Sequence, residues 1–376
     1  MTREIIEKVP TPCYVVDEVA VERNLKILRS VKERTGCKIL LALKGFAMFS
    51  LFPLIRQYLD GTAASSVHEA RLGREELGGE VHAYAPAFSE EQVKELTRCA
   101  DHIIFNSFSQ WRRFKETAKN VQCGLRVNPG YGKAPRKIYN PCGKYSRMGI
   151  PFDQFRFDEL DSISGLHFHA LCEQNAAPLE KTLKEVEKKF QPAFSKIKWM
   201  NFGGGHHITR PDYDVDKLCE LITRFKKKHG LEIYLEPGEA IALRTGALVS
   251  SVLDIIHNDM NIAILDTSAA AHMPDVLEMP YRPIITDAAE PNVLPHTYRL
   301  GGPTCLAGDI ICDYSFSKPL QTGDRLVFED MAHYTMVKNN TFNGIALPSI
   351  AIANTSNNTV RVVKQFDYED YRNKLS

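Results

Sequence analysis

Residues 199–238 read WMNFGGGHHITRPDYDVDKLCELITRFKKKHGLEIYLEPG. Two short apolar runs, Trp199–Phe202 and Glu232–Leu235, bracket an amphipathic stretch, Asp216–His229, in which Leu218, Leu221, Ile222 and Phe225 fall on one helical stripe. Strand, helix and strand in this spacing form a βαβ unit, and that unit builds a parallel sheet.

Working outward, the same rhythm recurs. Upstream candidate strands are Lys38–Leu43, Gly61–Ala64, Val81–Tyr84, His102–Phe105, Val121–Val127 and Ile163–Phe168, eight with the two above, each but the last followed by a helical pattern such as Val67–Leu77. Eight parallel strands with crossover helices predict an α/β fold, a (β/α)8 TIM-like barrel; an open doubly wound sheet is the alternative. After Glu239 the texture changes to β-rich segments, Thr245–Ile256, Asn261–Leu265, Asp324–Phe328 and Ile350–Ala353, divided by Gly, Pro and Asn-Asp turns. A second, C-terminal all-β domain is therefore expected. Pro12–Val16 precedes the first barrel helix, Val19–Glu33, and is expected to add a strand to that later sheet. The expected division is a barrel over 17–239 and a β domain over 240–376 with the segment 1–16.

Composition narrows the functional classes. The chain has 376 residues, 44% hydrophobic and 25% charged, with a formal net charge of +1 and no basic block, which argues against a nucleic-acid partner. The N-terminus MTREIIEKVPTPCYVV lacks a basic region followed by an apolar stretch, and no 18-residue apolar run occurs, so a cytoplasmic protein without a membrane partner is expected. Nine scattered cysteines without a C-x-x-C pair suggest reduced thiols, and neither a disulfide framework nor a metal site is expected from them.

In such barrels active sites form at the C-terminal ends of the strands, so the residues standing there carry the argument. Strand one ends at Lys44 behind Leu41, Ala42 and Leu43; desolvation favours a neutral, nucleophilic amine. A lone lysine after a strand is ordinarily solvated; its company sets this one apart. Strand seven runs into Gly203, Gly204 and Gly205, whose backbone can approach a phosphate without side-chain obstruction, although a glycine triplet alone is commonly just a turn. Strand eight ends in Glu236, an acid able to hold a pyridine nitrogen protonated. Strand six ends in His167-Phe168-His169, and one of the two imidazoles is expected to stack on an aromatic ring. An amine, a phosphate nest, an acid and a flat ring are the groups that pyridoxal 5'-phosphate requires. The acid favours decarboxylation, which profits most from an electron-withdrawing pyridinium.

These stretches also carry a resemblance. TPCYVVDEVAVERNL, LALKGFA, SSVHEARLG, YNPCGKYSRMGIP, GLHFHALCEQN, NFGGGHHIT, LEPGEA and GGPTCLAGDII together resemble the alanine-racemase-like, fold-type III pyridoxal-phosphate decarboxylases acting on ornithine, arginine and diaminopimelate, over nearly the whole chain. The resemblance implies that Lys44 bears the cofactor, His169 stacks on its ring, Glu236 meets the pyridine nitrogen, and Gly203, Gly204, Gly205 and Tyr334 (in MAHYTMV) hold its phosphate. It also implies that Cys305 (in GGPTCLAGD) reprotonates Cα, reaching across a head-to-tail homodimer into the neighbour's site. Catalytic roles thus fall to Lys44, Cys305 and His169. Three departures stand out: Glu239 where many relatives have arginine after EPG, Leu306 where ornithine-type enzymes have aspartate, and Cys172 where relatives have a serine near the phosphate. Glu239, Asp275 (in HMPDVLEMP), Asp309 and Glu173 are then candidates for binding substrate cations, each equally readable as a solvated carboxylate. Several acids suit a carboxylated polyamine, carboxynorspermidine or carboxyspermidine, better than a dicarboxylate. The rival readings are a diaminopimelate, arginine or ornithine decarboxylase of the same fold, and a non-catalytic cofactor-binding regulatory homologue. A dinucleotide-binding dehydrogenase is weaker, because Gly203-Gly204-Gly205-His206-His207 is not G-x-G-x-x-G.

Overall fold

The computed structural model describes all residues, Met1–Ser376. The chain divides into two compact units, Glu22–Ile241 and Met1–Val21 with Ala242–Ser376. Both divisions fall inside helices, Glu18–Thr35 and Glu239–Ala242, rather than after residues 16 and 239 where the texture of the sequence changes.

Strand β1 (Cys13–Asp17) belongs to the discontinuous unit. The other unit holds β2 (Lys38–Ala42), β3 (Gly61–Ala64), β4 (Glu80–Tyr84), β5 (His102–Phe105), β6 (Gln122–Asn128), β7 (Ile163–His167), β8 (Trp199–Asn201) and β9 (Glu232–Leu235). Each pairs in parallel with its neighbours in chain order. β9 then pairs with β2 through Tyr234↔Lys38 and Leu235↔Ile39, closing the ring and ruling out the open sheet. Alternation along each strand sends every second side chain inward. Leu40, Ala42, Ala63, Ile104, Trp199 and Tyr234 pack as one core cluster with Tyr84 beside it. Trp199 fills the interior only because two neighbours lack side chains: a Cβ on Gly165 would stand 2.0 Å from the indole, and one on Gly124 would stand 2.4 Å from it. Burying a large apolar side chain contributes roughly 1.5–3 kcal/mol.

The crossover helices follow local rules. Ser89 caps Glu90–Cys99 in a capping box with Gln92, and the helix buries Val93, Leu96 and Cys99. Val215–His229 starts at Asp214, buries Leu218, Cys219, Leu221, Ile222 and Phe225, and ends at left-handed Gly230. The expected helix Val67–Leu77 is α-helical only to Leu72 and finishes in a wider turn over Gly73–Leu77. The helix expected after β6 does not form. Residues 129–162 instead carry three-residue turns at Lys137–Tyr139, Phe152–Gln154 and Phe157–Glu159, because Pro129, Gly130, Gly132, Pro135, Pro141 and Gly143 interrupt any helical run.

In the other unit the long strand β10 (Gly246–Asn258) organises the sheet. β11 is Met260–Leu265, β12 His296–Gly301, β13 Ile310–Phe316, β14 Arg325–Glu329, β15 Ser349–Asn354 and β16 Thr359–Lys364. β10 is antiparallel to β1, β11 and β14. β1 runs parallel to β15, so the Pro12–Val16 segment joins this sheet as β1. Ile5, Val9, Cys13, Val15, Val249, Ala351 and Ala353 form its core, and β13 and β16 complete antiparallel pairs with β12 and β15.

Candidate active site

The barrel strands deliver their chemistry-bearing side chains at their C-terminal ends. Lys44 follows β2 by two residues and is solvent-accessible. Its amine is nevertheless held below the usual lysine range, first by desolvation and then by the positive charge of Arg126, against the pull of Glu236. Arg126, on β6, is buried; its Nη2 donates to the His169 carbonyl at 3.2 Å and its guanidinium lies 4.5 Å from the centre of the Tyr84 ring.

Glu236, just past β9, accepts from Asn201 Nδ2 at 2.7 Å through Oε1 and meets His167 Nε2 at 3.1 Å through Oε2. Burial alone would raise its pKa; His167, and the Asn201 amide behind it, overcome that and hold the carboxyl down to about 2. The His167 ring is itself buried, and burial moves its pKa downward despite the carboxylate. A neutral imidazole can donate Nε2–H to the ionised carboxylate, while its buried Nδ1 has no hydrogen-bond partner. His167 closes β7, and His169 lies two residues beyond it. His167 stacks on Tyr84, with centroids 5.5 Å apart. His169 lies beyond the end of β7, and its Nδ1 accepts from the Gly204 N–H at 3.0 Å. That bond places the ring proton on Nε2. Desolvation, then Lys44 and Arg126, keep His169 neutral, its pKa well below the usual value.

The glycine triplet is more committed than its composition suggests. Gly203 N–H donates to Asn201 Oδ1 at 2.8 Å and Gly204 N–H to His169, which leaves the Gly205 N–H as the triplet's uncommitted donor. Glycine is required here by close packing: a Cβ on Gly205, where φ is +81°, would stand 1.9 Å from the Leu171 carbonyl oxygen.

The four acids expected to meet substrate cations already have other partners. Glu239 Oε2 lies 3.0 Å from His207 Nε2. Glu173, in a left-handed conformation at φ +53°, lies beside Cys172, whose thiol is pushed up to about 12 mainly by burial and then by Glu173 and Glu239. In the sheet unit Asp275 pairs with Lys338, which also meets Glu278 at 2.8 Å. Asp309 is corrected outright: it is 3% exposed and accepts from Ser268 Oγ at 3.0 Å, the Ala270 N–H at 3.1 Å and Thr304 Oγ at 2.7 Å. A fully bonded internal carboxylate has no capacity left for a ligand. It pins the loop that exposes Cys305, and the Cys305 N–H donates to Asn343 Oδ1 at 2.8 Å. Tyr334 has φ +45°, a strained setting for an aromatic residue, and immediately precedes the short helix Thr335–Lys338 without a side-chain capping bond.

Sequence reasoning missed Arg126, Asn201 and Glu69. Arg126 interrupts an apolar strand, which was a usable signal, and Asn201 ends β8. Glu69 accepts from the Ser65 N–H at 2.6 Å, feels the Lys44 charge, and is raised in pKa by burial, but nothing in its local sequence marks it.

Comparison with known proteins places this geometry. A family model described as "Pyridoxal-dependent decarboxylase, C-terminal sheet domain" matches residues 13–332. A Campylobacter jejuni protein named carboxynorspermidine/carboxyspermidine decarboxylase is 44% identical over 376 residues, covering 97% of this chain and 98% of its own length. A Synechocystis protein named carboxyaminopropylagmatine decarboxylase is 45% identical, covering 98% of this chain and 96% of its own length. The crystal structure of carboxynorspermidine decarboxylase from Campylobacter jejuni, complexed with norspermidine, superposes with a TM-score of 0.91 at 42% identity, covering 97% of this chain and all of that one. A diaminopimelate decarboxylase from Helicobacter pylori, complexed with L-lysine, shares the fold at a TM-score of 0.84 and 17% identity, with 99% and 98% of the two chains covered. The chain belongs to the pyridoxal-dependent decarboxylase family.

Proposed function

We propose that this protein decarboxylates carboxynorspermidine, and carboxyspermidine beside it, using pyridoxal 5'-phosphate, to release norspermidine or spermidine in polyamine biosynthesis. Lys44, His169 and Glu236 fit that cofactor by donor chemistry: an amine with a lowered pKa, a neutral flat imidazole and an ionised buried carboxylate. Bound there, the cofactor supplies an electron-withdrawing ring that takes up the electron pair left at Cα when CO2 departs. Lys44 Nζ would hold the cofactor, its lowered pKa favouring the neutral amine. Glu236 keeps a proton on the pyridine nitrogen, and its own ionised state is secured by His167 and Asn201. The Gly205 N–H, uncommitted within the triplet, would meet the cofactor's phosphate. Cys305 Sγ returns the proton to Cα, working in the second copy of a homodimer. Glu173 and Glu239 take the distal amines, Glu239 exchanging His207 for one of them.

The observation that carries this reading is the Lys44–His169–Glu236 grouping in a chain that matches a carboxynorspermidine/carboxyspermidine decarboxylase almost end to end. The equally similar carboxyaminopropylagmatine decarboxylase favours a second reading, with a guanidinium in place of a terminal amine. The test is CO2 release by the holoenzyme from carboxynorspermidine, carboxyspermidine, carboxyaminopropylagmatine and diaminopimelate in parallel. Highest kcat/KM on the first two is expected. Preference for the third transfers the assignment to it, and turnover of diaminopimelate alone overturns the polyamine reading.

A further inference from the structure

Glu80 and His82 on β4 and His102 on β5 converge inside the barrel, where three of their ligand-type atoms, one from each, lie within 4.8 Å of one another. The strand register sets His82 directly beside His102, and the two rings stack with centroids 3.9 Å apart and planes inclined by 20°. His82 Nε2 is 3.5 Å from Glu80 Oε2. The imidazoles are 1% and 3% exposed, yet neither nitrogen of His82 nor Nδ1 of His102 has a hydrogen-bond partner. Buried polar atoms are ordinarily satisfied, so three unpaired imidazole nitrogens beside a carboxylate call for a ligand.

The surrounding charge admits a cation. Lys38 pairs with Glu80 through Oε1 and with Glu232 at 3.1 Å, so two carboxylates face one ammonium. The Tyr234 hydroxyl lies 2.9 Å from Glu80 Oε2 and 3.0 Å from Glu232 Oε2. It can therefore release the first oxygen and keep the second.

We propose that Glu80, His82 and His102 bind one divalent transition-metal ion, with Zn2+ the best match. Two imidazoles and a carboxylate with an open fourth position form a set that Zn2+ adopts, whereas Mg2+ and Ca2+ select oxygen ligands. The cluster occupies the N-terminal part of β4 and β5, while Lys44 and Glu236 follow the C-terminal ends of their strands. The ion ties adjacent strands together and takes no part in decarboxylation. No spacing motif announces it, because the ligands come from two strands separated by a crossover helix.

The test uses the holoenzyme, stripped with a chelator and returned to ZnCl2 or CoCl2 in excess MgCl2. Expected are one Zn2+ retained per chain, a rise in Tm with Zn2+ but not Mg2+, and visible Co2+ bands without the near-ultraviolet thiolate transition that binding at a cysteine would give. His82→Gln and His102→Gln should each weaken Zn2+ binding by more than about 100-fold, beyond the loss of an outer-shell partner. No retained Zn2+, or equal retention by a folded His102→Gln variant, overturns the site. If the variants fail to fold, X-ray absorption at the zinc edge of the wild type decides: two imidazole ligands support the assignment, and none or a sulfur shell refutes it.

Discussion

Glu236 shows how one carboxylate is kept charged where burial opposes it. Its folded-state pKa lies below the ordinary value of 4.5, so the stability it contributes is present above that pH and is lost as the pH falls below it. Glu236→Gln removes this titration and the charge that holds a ring nitrogen protonated. We expect kcat to fall by about 100-fold or more, and the stability difference between wild type and variant to shrink as the pH drops from about 5 toward 2 in urea titrations. A stability gap that stays constant over that range would show that Glu236 is not the titrating group. Asp309 makes the contrasting case. Asp309→Ala leaves Ser268, Thr304 and the Ala270 N–H without their acceptor and should cost about 2–4 kcal/mol, with KM unchanged at temperatures where the variant is folded. A raised KM at unchanged stability would return Asp309 to the substrate. Lys44 and Glu236 were legible in the sequence because strand ends are where a barrel shows its chemistry. Asp309 was misread because burial is invisible in a run such as LAGDII.

Among the elements, the loop after β8 is where sequence and structure give different reasons for the same residues. Gly203–Gly205 read as a nest for phosphate, yet two of the three N–H groups are spent on Asn201 and His169, and the glycines are demanded by backbone crowding. Gly205→Ala would force a methyl group against the Leu171 carbonyl at φ +81°. A loss of more than about 2 kcal/mol is expected, seen as a lower urea midpoint with unchanged slope, together with weakened cofactor retention. Normal stability with weakened retention would instead favour a role confined to phosphate. The helices were legible wherever apolar residues recur at helical spacing, as in Val215–His229. The segment after β6 was not, because the strand-then-helix rhythm was extrapolated across a stretch rich in proline and glycine.

For the molecule as a whole, the reading that Cys305 serves the second copy's site makes a prediction no single chain can meet. Lys44→Ala and Cys305→Ala, each inactive alone, should recover about a quarter of wild-type activity when mixed one to one and allowed to exchange subunits, because half the dimers then carry one intact site. No recovery after verified exchange would place both residues in the same copy's site. The sequence by itself determined the number and order of the barrel strands, the later sheet segments, and the lysine, histidine and glutamate at the strand ends. Those properties are written in local alternation, helical spacing and position relative to a strand, all of which act over a few residues. Only the tertiary structure decided the closure of β9 on β2, the partners that keep Glu236 ionised, the burial of Asp309, and the meeting of Glu80 and His82 with His102. Each of these depends on desolvation and on contacts between residues far apart in the chain, and no window of sequence contains both partners.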